Sequence, residues 1–253
     1  MPYDVRNPPT PEPGYNLPRP AEVGCWRAHA NIWSHIVSSG ISSALILEDD
    51  VDFSVGIREI MEGISTQLQG IFGARKKEPY GLVDGKGWDI LSLGTCWSQL
   101  PDPETDSNRA RMVRSWIDQY APESDRLSRQ YLPNAASKRV RLIGPTKSMV
   151  CTHGYAVTRE GAMRLLYNVG GPGHILDRPL DLLMNSQIIG GLLRGFIAIP
   201  TIVGQWKYGN WMDSDIQPGK TEGSGSGSDI IQSVRKEIME VLGNRNAWTE
   251  FES

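Results

Sequence analysis

The sequence predicts an α/β fold, in which helices pack on a central sheet. Short apolar runs of strand length alternate along the chain with longer segments whose apolar residues recur every three or four positions. One short run, residues 43–47, ends directly in carboxylates, as a buried parallel strand does where it reaches the edge of its sheet. Strands and helices in alternating order are typical of layered α/β proteins.

The first helix is predicted over residues 20–39. Val23, Trp26 and Trp33 recur at helical spacing, and Gly40 supplies a C-terminal stop. Later helices are predicted at 55–68, 159–167 and 179–189, with a last amphipathic helix beginning after a cap at Ser228 or Asp229. Strands are predicted at 43–47, 88–93, 140–143, 149–158 and 196–199.

The chain is predicted to hold one domain with two appendages. Residues 1–20 are rich in proline, which removes backbone donors and fixes φ, so they are expected to form an extended arm. Residues 21–218 form the predicted α/β domain, which includes a polar, irregular excursion at 98–138. Residues 219–253 are expected to form a Gly/Ser-rich linker and the C-terminal helix.

Composition excludes some classes of protein. At 253 residues and 28.0 kDa the chain can build one medium-sized core. A net charge of -3 and a pI near 5.9 argue against a nucleic-acid binder, which normally carries a basic surface. No run approaches the ~20 apolar residues of a membrane span, and no signal peptide is visible. The localisation is therefore expected to be cytoplasmic by default.

The three cysteines are predicted to be reduced. Cys25, Cys96 and Cys151 form no close pair and no metal-ligand spacing, and an odd number suits thiols in a core better than a disulfide framework.

The strongest chemical signal is the acidic run after the first strand. Glu48, Asp49, Asp50 and Asp52 stand within five residues, and carboxylates this close repel one another unless something neutralises them. If the extended conformation continues, Glu48, Asp50 and Asp52 point to one side and Asp49 to the other. Oxygen ligands of this kind suit Mn²⁺ or Mg²⁺. The alternative is a solvated loop whose acids cap the following helix.

Several segments resemble, in sequence order, glycosyltransferase family 25, the lipopolysaccharide-type and collagen galactosyltransferases. They are EVGCWRAHANIW at 22–33, ALILEDDVDF at 44–53, WDILSLG at 88–94, THGYAVTREGAMRLL at 152–166, DRPLD at 177–181 and PTIVGQW at 200–206. The resemblance implies a nucleotide-diphosphosugar transferase fold, GT-A-like, with a single Rossmann-like domain.

The sequence departs from the family pattern at two places. Ala28 stands where the family has a serine before the helix histidine, here His29. Family members also begin with a further strand that carries an Asn-Leu-Asp-Arg-like segment, and none precedes Ala21. The domain is therefore expected to be N-terminally incomplete.

The resemblance implies a metal-dependent, inverting transfer of a hexose, galactose in the first place, from a UDP-sugar to a glycan or glycoprotein acceptor. In that scheme Glu48, Asp50 and Asp52 hold Mn²⁺ or Mg²⁺, and Asp49 reaches the ribose or the sugar. The ion bridges the two phosphates and stabilises the charge that develops as the sugar departs.

An inverting reaction needs a base for the acceptor hydroxyl, and Asp181 is the first candidate and Asp177 the second. The alternative interpretation is that one of the two caps a helix and the other pairs with Arg178.

Three further residues are candidates for substrate binding. His153 is expected to donate to a phosphate or to complete the metal site, against the alternative of a structural histidine in a strand. Gln205 and Trp206 follow a strand closed by Pro200 and are expected to line the acceptor pocket. For His29, between two tryptophans on the first helix, packing is the favoured interpretation.

Two other functions compete with the transferase. The first is a catalytically inactive relative that binds a glycan or protein partner through the same scaffold, which the missing strand favours. The second, ranked last, is phosphoryl transfer with Asp50 and Asp52 as nucleophile and acid, because the threonine or serine and the lysine of that scheme are not found.

Overall fold

The computed structural model describes residues 19–75, 78–82, 87–123, 139–171, 176–208, 224–225 and 230–243. Nearly all of the predicted arm at 1–20, residues 124–138 of the predicted excursion and most of the predicted Gly/Ser-rich stretch lie outside these ranges. Within them, every helix is too short or too polar to cross a lipid bilayer.

The helices of the described ranges follow the predicted order. They are α1 Pro20–Ser38, α2 Ile57–Phe72, α3 Ser107–Ala110, α4 Arg159–Leu165, α5 Leu180–Ile189 and α6 Val234–Gly243. A 3₁₀ turn spans Pro79–Gly81, and a π-helical turn, Leu166–Gly170, continues α4. The predicted helices at 20–39, 55–68, 159–167 and 179–189 are confirmed to within a few residues.

The strands are β1 Ser43–Leu47, β2 Val51–Phe53, β3 Ile90–Gly94, β4 Trp97–Gln99, β5 Arg114–Ile117, β6 Val140–Pro145, β7 Ser148–Val150, β8 Gly154–Thr158, β9 Gly195–Ile199, β10 Val203–Gln205, β11 Lys207–Tyr208 and β12 Ser224–Gly225. Six of them form the main sheet in the order β1-β8-β3-β9-β6-β5. The pairs β2–β10, β4–β7 and β11–β12 lie apart from it.

Helix α1 shows how local sequence produces the predicted element. Pro20 occupies the start of the helix, where a missing N–H costs nothing. Val23, Trp26 and Trp33 are buried on one face, at the spacing that predicted the helix. Gly40 has a φ of +68°, a conformation that few other residues adopt, and the chain turns there into β1.

Strand β1 corrects the prediction of a buried parallel strand. It lies at one edge of the main sheet and pairs antiparallel with β8. Leu45 is 48% exposed and Leu47 is 41% exposed, so one face of the strand is open. A short apolar run does not determine the direction of its partner, and the partner here lies about a hundred residues further along the chain.

The main sheet is mixed, and its pairs are mostly antiparallel. Among the six strands, the pair β3–β9 is parallel, whereas β1–β8, β8–β3, β9–β6 and β6–β5 are antiparallel. The α/β class is confirmed, because helices pack on both faces of this sheet. The nucleotide-diphosphosugar type of fold remains a prediction from the resemblance.

Alternate residues of the strands supply two cores. Ile90, Tyr155 and Val157 face α1, α4 and α5, whereas Leu91 and Ala156 face α2. Burial of these side chains on both faces holds the strand ends in fixed positions, and the candidate site lies at those ends.

The predicted irregular excursion at 98–138 contains regular structure in its described part. Strands β4 and β5 and the short helix α3 all lie within or at the border of this segment. Trp116 and Tyr120, near its middle, pack against the α2 side of the sheet. Strand pairing with β6 and β7, which come later in the chain, orders residues whose own sequence shows no periodicity.

The last helix begins later than predicted. Ser233, rather than Ser228 or Asp229, precedes its first turn, and the Ser233 hydroxyl accepts a hydrogen bond from the Lys236 N–H at 3.0 Å. Both predicted caps, Ser228 and Asp229, lie outside the described residues. Ile230 is buried, so the apolar residue before the helix anchors this end of the chain.

We predict that Gly161→Ala lowers the free energy of unfolding. A methyl group at this position would lie 2.2 Å from the Asp89 carbonyl oxygen, and relief of such an overlap costs about 1–3 kcal/mol. Gly70→Ala is the matched control, since nothing lies within 4 Å of its position in α2, and alanine there should stabilise the helix by about 0.5–1 kcal/mol. Urea unfolding measures both; equal effects of the two substitutions would contradict the close approach of α4 to Asp89.

Candidate functional site

Several of the predicted site residues lie at one end of the main sheet. Leu47, the last residue of β1, pairs with Gly154, the first residue of β8, and Gly154 also pairs with Gly94 at the end of β3. A side chain at Gly94 would lie 2.5 Å from the Val203 carbonyl oxygen, just before Gln205. The absence of side chains at Gly94 and Gly154 thus allows the strand ends to approach residue 203 closely. We call residues 48–52 the acidic loop and residues 151–153 the entry segment of β8.

The acidic loop does not stay extended, which corrects one prediction. Asp49 and Asp50 form a turn, and the chain then enters β2, which pairs with β10 outside the main sheet. Among the described residues, the groups of three metal-ligating side chains whose ligand atoms lie within 4.8 Å of one another do not include the set Glu48, Asp50 and Asp52. The turn sends these three carboxylates to three different partners.

Glu48 faces the entry segment and helix α1. Its Oε1 accepts a hydrogen bond from the Thr152 hydroxyl, and the same oxygen lies 3.8 Å from His29 Nε2. Its backbone N–H donates to the His153 carbonyl at 3.1 Å. Burial acts to raise the pKa of Glu48, but hydrogen bonds from His29 and Thr152 and the nearby His153 outweigh it and lower that pKa. The carboxylate is thus held ionised in a fixed orientation.

Asp50 keeps one oxygen open. Its Oδ2 accepts from Gln205 Nε2 at 2.8 Å, and its carbonyl accepts from the Trp206 N–H at 2.7 Å. Its Oδ1 is buried and has no hydrogen-bond partner in the structure. A buried carboxylate oxygen without a donor is unfavourable. The structure therefore brings Gln205 and Trp206 to the acidic loop and leaves Asp50 Oδ1 without a hydrogen-bond donor, whereas their predicted place in an acceptor pocket stays a prediction.

Asp52, which was predicted to be a metal ligand beside Glu48 and Asp50, is instead surrounded by protein donors. The side chain is fully buried. One carboxylate oxygen accepts from the Ser233 hydroxyl and the other accepts from the Arg235 N–H at 3.1 Å. The Arg235 guanidinium also donates to the carbonyl groups of Val51, at 2.8 Å, and of Asp49, at 2.9 Å. Asp52 thus fixes the start of α6 against the loop.

The two candidate bases have different surroundings. Asp177 forms a two-point pair with Arg178, at 2.9 and 2.7 Å, and that hydrogen bonding lowers its pKa. Asp181 lies in the first turn of α5, where its oxygens accept from the N–H groups of Cys151, at 2.9 Å, and Leu182, at 2.8 Å. These contacts agree with the alternative interpretation, in which Asp181 accepts hydrogen bonds at the start of a helix and Asp177 pairs with Arg178.

The charges of Asp181 and Glu48 both act on the half-buried thiol of Cys25. Burial, followed by the charges of Glu48 and Asp181, raises the pKa of Cys25 to about 11. The Cys25 thiol is therefore protonated at neutral pH. Because both carboxylates act on Cys25, the predicted base Asp181 and Glu48 lie near the same side chain of α1.

A chain of buried hydrogen bonds supports Glu48 from the core. Trp33 Nε1 donates to the Tyr155 hydroxyl at 3.0 Å, and that hydroxyl lies 2.7 Å from His29 Nδ1. Because the hydroxyl oxygen already accepts from Trp33, we assign its proton to a bond with Nδ1, which leaves the His29 Nε2 proton facing Glu48. His29 thus packs in the core, as predicted, and its ring also links the Tyr155 hydroxyl to Glu48.

The sequence held a signal for this chain of bonds. His29 and Trp33 stand four residues apart on α1, so both face the same strand. Thr152, which orients Glu48, lies next to the predicted His153 but carried no prediction of its own.

The cysteines correct a further prediction. Cys96 and Cys151 form a disulfide with a Cα–Cα distance of 5.6 Å across 55 residues, and Cys25 is free. Spacing along the chain did not indicate this pair, because the β4–β7 pairing brings the two residues together. Cys151 has a φ of +73°, which is unusual for a residue with a side chain.

Comparison with known proteins identifies related sequences. Residues 13–81 match the model of glycosyltransferase family 25 (LPS biosynthesis protein). Procollagen galactosyltransferase 1 of Danio rerio is 31% identical over 98 residues, which are 36% of this chain and 14% of the relative. A glycosyltransferase 25 family member of Anopheles gambiae is 28% identical over 160 residues, 61% of this chain and 19% of the relative.

Another relative carries a name that denies activity. The inactive glycosyltransferase 25 family member 3 of Mus musculus is 29% identical over 84 residues, 33% of this chain and 12% of the relative. The chain thus spans at most 19% of the length of these three curated relatives.

We predict that Tyr155→Phe destabilises the fold although it removes only one oxygen. His29 and Trp33 would each keep a buried polar nitrogen without its partner, which costs about 1–3 kcal/mol. Tyr167→Phe is the matched control, because Tyr167 is 81% exposed and its hydroxyl serves neither bond. Chemical unfolding of both variants measures the difference, and equal stability of the two would contradict the chain of bonds.

Asp52→Asn is predicted to lower stability through α6. Loss of the charged acceptor for Ser233 and Arg235 should cost about 1–3 kcal/mol. Ser233→Ala should lower stability too, and the double variant should lose less than the sum, since the two side chains share one bond. Additive losses in a double-mutant cycle would show that Asp52 acts elsewhere.

Proposed function

We propose that the chain is a member of glycosyltransferase family 25, whose model matches residues 13–81, and that it is a metal-dependent, inverting glycosyltransferase. The proposed reaction moves a hexose from a UDP-sugar to a glycan or glycoprotein acceptor. Galactose is the first candidate for the sugar, in line with the name of one relative, a procollagen galactosyltransferase.

This proposal rests on Asp50 Oδ1, a buried carboxylate oxygen that has no hydrogen-bond partner in the structure. A buried carboxylate oxygen without a donor calls for a cation or a hydrogen-bond donor from a ligand. Oxygen ligands suit Mn²⁺ or Mg²⁺, which keep coordination positions for phosphate oxygens. Such an ion supplies charge stabilisation for the departing diphosphate when it is bound. Of the three carboxylates predicted to hold it, Asp50 is the one that fits, because Glu48 and Asp52 are engaged by protein donors.

The residues around Asp50 provide its orientation and the proposed donor contacts. Gln205 Nε2 fixes one carboxylate oxygen, so the other keeps its direction. Asp49 is exposed on the same turn and is the proposed contact for the ribose or sugar. His153 is half-buried and lies close enough to Glu48 to lower the pKa of that group, so it is placed to donate to a phosphate.

Asp181 remains the first candidate for the base. Each of its oxygens accepts one backbone N–H, which leaves further lone pairs for an acceptor hydroxyl. Asp177 is second, because its pairing with Arg178 lowers its pKa and therefore weakens it as a base.

One observation favours a second candidate function, a catalytically inactive relative that binds a glycan or protein. Thr152, Ser233 and Arg235 already satisfy two acids of the loop without any metal. A relative named as inactive shares part of the sequence. In this alternative the acidic loop is a structural junction, and Asp50 does not bind a nucleotide through an ion.

We expect UDP binding to require Mn²⁺ and Asp50. Asp50→Asn retains an acceptor for Gln205 but removes the charge at the open oxygen, so the affinity for UDP with Mn²⁺ should fall at least about tenfold, or roughly 1.4 kcal/mol. Isothermal titration calorimetry with and without EDTA measures this loss.

Glu62→Gln is the matched control, because Glu62 is an exposed acid on α2, away from the site. The control should bind UDP as the unmodified protein does. Absence of any metal-dependent binding in a correctly folded unmodified protein would refute the transferase proposal and leave the binding function.

A further inference from the structure

The disulfide joins two segments that border the candidate site. Cys96 follows β3 and is exposed, whereas Cys151 is half-buried at the start of the entry segment. Around the link, the Cys96 N–H and the Thr95 hydroxyl both donate to the Val150 carbonyl at 3.0 Å. The disulfide and these two hydrogen bonds therefore attach the entry segment to the chain that follows β3.

The entry segment in turn holds two acids of the site. The Cys151 N–H donates to Asp181, the Thr152 hydroxyl donates to Glu48, and the His153 carbonyl accepts from the Glu48 N–H. Three consecutive residues thus make three hydrogen bonds to the two acids. A displacement of this segment would release both acids together.

The backbone at Cys151 is strained. Its φ of +73° is a left-handed conformation, which costs a residue with a side chain about 1–2 kcal/mol. Such a conformation persists only where the surrounding structure holds it. The disulfide and the hydrogen bond from the Cys151 N–H to Asp181 both hold this residue in place.

We propose that the Cys96–Cys151 disulfide is a positioning element of the site, so that Glu48 and Asp181 are correctly placed only in the oxidised protein. This inference rests on the proposed function for its effect on turnover. A dithiol reductant would supply two electrons and two protons, giving two cysteine thiols and a cyclic disulfide of the reductant. The entry segment then relaxes, and the two acids lose their partners.

The proposal separates two properties of the site. Asp50 is held by Gln205 and Trp206, outside the entry segment, so UDP binding should still require Mn²⁺ after reduction, although the affinity should fall because the contact proposed for His153 lies within the entry segment. Turnover of the UDP-sugar, by transfer or by hydrolysis, should fall at least about tenfold, because Glu48 and Asp181 lose their orientation.

The experiment compares the full chain before and after dithiothreitol. Hydrogen exchange followed by mass spectrometry should show exchange at the amides of Glu48 and Cys151 accelerated at least about tenfold by reduction. The amides of Val157 and Leu91, in the middle of the sheet, should be unchanged. Cys96→Ala should show the fast exchange without reductant and no further change when dithiothreitol is added, which excludes a general effect of the reagent.

Two results would overturn the proposal. The first is peptide mapping that finds free thiols at Cys96 and Cys151 in air-oxidised protein. The second is exchange at Glu48 and Cys151 that reduction does not change. The exchange measurement needs no nucleotide, so a failure of UDP binding, which would refute the proposed function, is distinguishable from a failure of the disulfide to position the segment.

Discussion

The buried hydroxyl group of Tyr155 is the interaction on which the site depends most. It accepts from Trp33 and contacts His29, so it ties α1 to the strand that leads out of the site. Because the group is inaccessible to water, its two partners have no substitute for it. Through His29 the same bond reaches Glu48. The packing of α1 against β8 and the orientation of the Glu48 side chain consequently depend on the same hydroxyl group.

The acidic loop shows how a fold accommodates adjacent like charges. A turn at Asp49 and Asp50 separates the side chains, and each acid then finds a partner from a different part of the chain. Glu48 is bound by Thr152 and Asp52 by Ser233, which removes the repulsion that a shared face would produce. Asp50 alone among these three retains a buried oxygen without a donor. Among these three acids, the buried oxygen that lacks a donor is thus Asp50 Oδ1, and a role in ligand binding is easiest to assign to that atom.

Sequence reasoning predicted what periodicity and composition determine. The helices at α1, α2, α4 and α5 and the ends of the strands at the acidic loop all follow from apolar spacing. The direction of β1 did not, because its apolar run carries no information on its partner. The disulfide was missed for a related reason, since strand pairing rather than spacing brings Cys96 to Cys151. The burial of Asp52 depends on Ser233, near the other end of the chain, and local sequence contains no sign of it.

The distances along the chain explain why the site cannot be judged from the family match alone. The partners of Glu48, Asp50 and Asp52 lie 104, 155 and 181 residues away in sequence, whereas the family model covers residues 13–81. The matched region therefore carries the acids and His29, but not Thr152, Gln205 or Ser233, which donate hydrogen bonds to them. A relative could retain the acidic run and lose those groups, and its carboxylates would then be free to adopt other arrangements. In this chain the orientation of the Asp50 carboxylate thus depends on Gln205, which lies outside the segment that the family model matches.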